Sequence, residues 1–113
     1  MRALFFYDGV GSKTRREIAA RLDEIIESLH GEAMQGRILA MHYLGRAYSI
    51  RLEFAKSFAW FTVAAKHRHW PSVAYQKMVA NQLDAESETW AADETVKLLA
   101  LFGMTINNDI SID

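Results

Sequence analysis

The chain has 113 residues, half of them apolar and 12% aromatic, which is enough for one domain around one hydrophobic core. It contains no cysteine, which excludes a disulfide framework, cysteine-ligated zinc and thiol catalysis, and suits a reducing compartment such as the cytoplasm. A formal charge of −1 excludes the strong general attraction to phosphate backbones that a basic excess would give, leaving only local patches for that role.

In chain order, residues 3–7 are an apolar run, too short for a membrane span or for the apolar core of a secretory signal. The run reads as a short strand or as an apolar arm, and both readings stay open. Residues 1–12 thus form an arm and turn, residues 13–102 a helical body, and residues 103–113 a tail. In that tail Ile110 and Ile112 alternate with polar residues and could pair with the arm as a small ribbon.

Thr14 and Glu17 read as a capping box at the start of a first helix. Ile18, Leu22, Ile25, Ile26 and Leu29 then recur on one face of a 3.6-residue period, with Gly31 as the expected stop. A second helix is expected over 32–48, with Met34, Ile38, Met41, Leu44 and Tyr48 inward. Gly45 in its interior costs about 1 kcal/mol against alanine, so a close neighbour is expected there. The third, over 53–67, is the most apolar. Phe54, Phe58, Phe61 and Ala65 make one stripe, and Ala55, Ala59, Trp60, Val63 and Ala64 wrap most of the rest. A helix apolar on most sides is buried on most sides, at the centre of a bundle or in a subunit interface. Pro71 suits the first position of a fourth helix, with Tyr75, Met78, Val79 and Leu83 inward. Asp84 caps a fifth carrying Ala91, Thr95, Leu98 and Phe102, beside Ala92, Val96 and Leu99, and Gly103 ends it. The expected fold is all-α, a compact bundle of about five helices.

Ala40, Leu44, Gly45 and Tyr48, followed by a turn and then Ala55, Ala59, Trp60, Ala64 and Ala65, give a helical hairpin in which small residues face large ones. This pattern resembles a Sel-like repeat, a relative of the tetratricopeptide repeats, and Leu83 to Glu86 with the helix behind them resemble a capping helix. Two departures stand out. Residues 49–53 replace the usual glycine-rich turn, and residues 66–70 stand where a glycine normally follows the paired alanines. The resemblance implies a protein-binding scaffold without an active site. It covers about one repeat plus a cap, too little for a solenoid, which needs about three units. A closed bundle or a pair of chains is the expected outcome.

His67 and His69, beside Lys66 and Arg68, lack the further ligands a metal needs, and read as cationic residues at a helix C-terminus. Lys13, Arg15, Arg16 and Arg21 form a basic face, readable as a phosphate contact or as a solvated surface with a Glu17–Arg21 pair. Glu86, Glu88, Asp93 and Glu94 crowd the first half of a helix, where negative charge is favoured. His42 and Tyr43 are the weak acid–base candidates. No catalytic, cofactor-binding or metal residue is assigned, and no enzyme activity is expected. Leu4, Phe5, Phe6, Tyr43, Trp70 and Tyr75 fit an inward stripe less obviously than the other apolar residues, and with Arg46 beside them they are the candidate partner-binding residues. The expected function is a small adaptor, or an inhibitor that sequesters a regulator such as a transcription factor. It would bind another protein, most readily as a homodimer, with no membrane role. Nucleic-acid binding through the basic face is the alternative, and an enzyme of unrecognised type is a third reading.

Overall fold

The computed structural model describes residues 12–104. They form five helices: α1 (Ser12–Met34), α2 (Ile38–Ile50), α3 (Phe54–Lys66), α4 (Pro71–Ala80) and α5 (Ala85–Leu101), with no strand among the described residues. The protein is an all-α bundle, as its periodicities predict. The arm with Leu4, Phe5 and Phe6, and the tail with Ile110 and Ile112, lie outside the described residues.

α3 is the hub. It packs against α2, α4 and α5, while α1 packs on α2. Ser57 and every residue from Ala59 to Ala64 are buried, so the apolar wrap places α3 at the centre of the bundle. Around it the core takes Met41 and Leu44 from α2, Leu98 and Leu99 from α5, and Ile26 and Ala33 from α1. The close approach expected at Gly45 is present. A Cβ there would stand 2.8 Å from two ring atoms of Phe61. Ser57 Oγ also donates a 2.6 Å hydrogen bond to the Gly45 carbonyl, which ties α3 to α2 at the same point.

Several boundaries differ from the sequence reading. α1 includes Ser12, so Thr14 sits inside the helix and not at its cap. It also runs through Gly31 to Met34, because an exposed glycine costs a helix only about 1 kcal/mol. The true stop is Gly36, at φ +88°. There the Gly36 amide donates to the Ala33 carbonyl at 2.9 Å and the Arg37 amide to Glu32 at 3.2 Å, the paired bonds of a Schellman motif. α2 consequently starts at Ile38, six residues later than expected, and Met34 belongs to α1 and is exposed.

The same motif ends three more helices, centred on Leu52, Arg68 and Gly103, whose φ values are 64°, 73° and 71°. Leu52 and Arg68 thus hold the left-handed position in the two turns where the repeat pattern would place glycine. An L side chain there costs about 1 kcal/mol, and both side chains are exposed, so core packing does not repay it. α5 starts as expected: Asp84 Oδ1 accepts from the Ser87 amide at 2.8 Å, and these bonds to Ser87 hold its carboxyl below the usual range.

Two expected inner faces are only partly inward. On α1, Ile26 is buried and Leu22 and Leu29 are half-buried, but Ile18 and Ile25 are 54% and 50% exposed. Ile18 lies on the part of α1 that outruns its neighbour, and Ile25 lies to the side of the strip that the bundle covers. α1 has 23 residues against 13 in α2, and all of Arg16 to Arg21 is exposed. On α4, Val79 is buried and Tyr75 half-buried, while Met78 faces outward and Leu83 lies beyond the end of the helix, in the turn to α5. A helix of 10 residues resting mainly on α3 has one narrow inner stripe, and Met78 falls beside it.

Candidate functional site

α2 turns His42 inward, at 5% exposure, and Tyr43 and Arg46 outward. The turn after α3 brings His69 over the same region. Pro71 starts α4 so that Ser72, in its first turn, is fully buried between the two histidines. Ser72 Oγ lies 2.7 Å from His42 Nδ1 and 2.8 Å from His69 Nδ1. A hydroxyl has one proton, so Ser72 donates to one ring and accepts from the other. The two rings therefore hold opposite Nδ1 states at neutral pH. Their centres are 4.6 Å apart. Burial, then His69 and Arg46, push the His42 pKa down to about 4.

Above this node sits an aromatic and cationic surface. The Arg46 guanidinium lies 5.2 Å from the Tyr75 ring centre and 5.9 Å from that of Tyr43, within cation–π range of both. Tyr75 also meets His42 edge-on at 5.1 Å. Arg46 forms no ion pair among the described residues, so its N–H groups are available to an outside acceptor. Three of the sequence-predicted contact residues, Tyr43, Arg46 and Tyr75, thus come together. Trp70 is 62% exposed at the start of α4 and makes no ring contact with them.

A serine between two histidines invites a nucleophilic reading, but the geometry opposes it. Ser72 has no exposed surface, and neither ring has a carboxylate to orient it among the described residues. The node can latch α4 onto α2 and the α3 turn. His42, the acid–base candidate, is one half of that latch.

The other candidates disperse. His67 donates from Nδ1 to the Val63 carbonyl at 2.9 Å and meets Phe102 edge-on, while His69 turns to Ser72. Among the described residues no group of three histidines or carboxylates could hold a metal. Glu17 and Arg21 do not form the expected ion pair. Glu86, Glu88 and Asp93 are exposed on the first half of α5, and Glu94 is half-buried. An apolar cleft of about 370 Å³ opens where α4 and α5 diverge over α3, and its Gln76 and Thr62 bond to each other at 2.7 Å. No helix among the described residues is long and apolar enough to cross a membrane.

Ser72 was not visible as a site residue from sequence, because a small polar residue in a helix's first turn has no periodic signature. Compared with known protein families, curated proteins and solved structures, the chain matches none of them.

Proposed function

We propose that this chain is a protein-binding module whose contact face is Tyr43, Arg46 and Tyr75, with Trp70 at its edge. The observation that carries this reading is Arg46, held against two tyrosine rings with no carboxylate partner of its own among the described residues. Aromatic and arginine side chains dominate the energetics of protein interfaces. Stacking limits the freedom Arg46 would otherwise lose on binding, and a guanidinium fork suits a carboxylate in two-point contact. The partner is therefore a protein presenting an acidic side chain. The small, all-helical body suits an adaptor, or an inhibitor that occupies a regulator such as a transcription factor, and a second copy of the chain is among its partners. The Sel-like pattern of the α2–α3 hairpin supports the same role.

The test is affinity purification from the native cell with the wild-type chain and with Arg46→Glu, followed by mass spectrometry. A protein retained by wild type and by Arg16→Glu, but reduced tenfold or more by Arg46→Glu, is the expected result. Identical recoveries with wild type and Arg46→Glu would exclude this face. Recovery of nucleic acid alone, falling steeply with salt, would move the function to the basic face of α1.

A further inference from the structure

α1 is charged against its own dipole. Residues 12–21 hold Lys13, Arg15, Arg16 and Arg21 with only Glu17 opposing, while residues 22–34 hold Asp23, Glu24, Glu27 and Glu32 and no lysine or arginine. Positive charge at a helix N-terminus and negative charge towards its C-terminus are both unfavourable. Among the described residues little compensates. Asp23 pairs with Arg51 at 2.8 Å and Glu32 with Arg37 at 3.4 Å, but Arg16, Arg21, Glu24 and Glu27 are exposed and form no ion pair among the described residues.

The same helix carries an apolar seam wider than its bundle covers. Ile18, Leu22, Ile25 and Leu29 follow the alternating four- and three-residue spacing of paired helices. Leu22 and Leu29 turn partly to the core, leaving Ile18 and Ile25 bare beside Arg21, Glu24 and the exposed Ile50 of α2.

We infer that this face binds α1 of a second copy of the chain, in antiparallel orientation, with Ile18 of each copy on Ile25 of the other. The two-fold axis then passes between Arg21 and Leu22. The basic half of each helix lies along the acidic half of the other, Arg21 comes within reach of Glu24 of the second copy, and the helix dipoles oppose. Packed helices stand about 8–10 Å apart, within the Debye length of about 8 Å or close to it, so these charges act across the seam. One segment supplies both halves of the match, which is what a two-fold interface requires. A parallel pair would set like charge on like. This face is separate from Arg46, so the inference stands or falls apart from the proposed partner face.

Sedimentation velocity at micromolar concentration should show a dimer that weakens as salt is raised. Ile18→Asp, at an exposed position, should weaken it tenfold or more with an unchanged helical circular-dichroism spectrum. Arg21→Glu or Glu24→Arg alone should also weaken it, and the two together should restore it. Because the chain has no cysteine, geometry can be read by disulfide trapping. A mixture of Ile18→Cys and Ile25→Cys should cross-link, and Ile18→Cys alone should not. A monomer at every concentration, a dimer indifferent to Ile18→Asp, or self-cross-linking of Ile18→Cys would each overturn the inference. Arg46→Glu should leave the dimer intact.

Discussion

Replacing Gly45 by alanine is expected to destabilise the protein by about 2 kcal/mol, although alanine is the better helix former. The added Cβ would stand 2.8 Å from Cδ1 and Cε1 of Phe61, closer than carbon atoms pack. Neither side can yield easily. Phe61 has no exposed surface and lies against Tyr75 and His42, each at 5.4 Å between ring centres. The backbone at Gly45 is pinned by the Ser57 hydrogen bond. Overpacking of this kind costs about 3 kcal/mol, and the gain in helix propensity returns about 1. Gly31→Ala is the control. It makes the same backbone change in a helix where nothing lies within 4 Å of the new atom, and it should stabilise by about 0.5–1 kcal/mol. Urea denaturation of both variants checks the pair. Equal stability of Gly45→Ala and wild type would show that the α2–α3 contact is not the constraint described.

Stability should also fall as the pH drops from 6.5 towards 4. His42 has a pKa of about 4 in the folded chain against 6.5 when free. Between those values the unfolded chain binds the extra proton and the folded one does not, so the stability present above pH 6.5 is lost progressively on acidification. At 1.36 kcal/mol per pH unit the window is worth about 3 kcal/mol at most, and about 2 once water near the ring is allowed for. Burial is the main cause, followed by the charges of His69 from the turn after α3 and Arg46 on its own helix, while the Ser72 hydroxyl of α4 bonds to the ring. Two charged rings would also leave the Ser72 proton without an acceptor among them. Asp84 is lowered from the ordinary carboxylate value, so its own loss comes at lower pH and is separable. Urea midpoints at pH 7, 5.5 and 4.5, with an NMR titration of the His42 ring, measure the effect. A His42 ring that titrates at its ordinary value would sink the account. His69→Gln should raise the His42 midpoint by removing the neighbouring ring that helps to lower it.

Much of the fold was legible because each helix carries a periodic apolar face, and two of them recognisable end residues, Pro71 on α4 and Asp84 and Gly103 on α5. Gly31 and Gly36 could not be ranked from sequence, since the choice rests on which one the chain turns left-handed. Leu52 and Arg68 hid two further stops, because the residue expected there is glycine. Ile18 and Ile25 share the period of Ile26 but not its burial, since period reports direction around a helix and not how far the neighbour extends. At the site, Tyr43 and Arg46 are three residues apart on one helix, so their adjacency was implicit. Their meeting with Tyr75 depends on how α4 docks, which no local pattern encodes. The latch needed His42, His69 and Ser72 together. The first two carried other readings from sequence, and the third carried none.

The hub position of α3 also bears on how the chain assembles during synthesis. α1 pairs with α2, α2 with α3, and α3 with α4, so each of these partners leaves the ribosome next to the one it needs. α5 packs mainly on α3 and so must reach back past α4 to it. The loop that closes then is short, and loop entropy grows slowly with length. Until α5 arrives, the side of α3 that it covers has no neighbour. The most buried helix is thus the last to be fully covered, although it lies in the middle of the sequence.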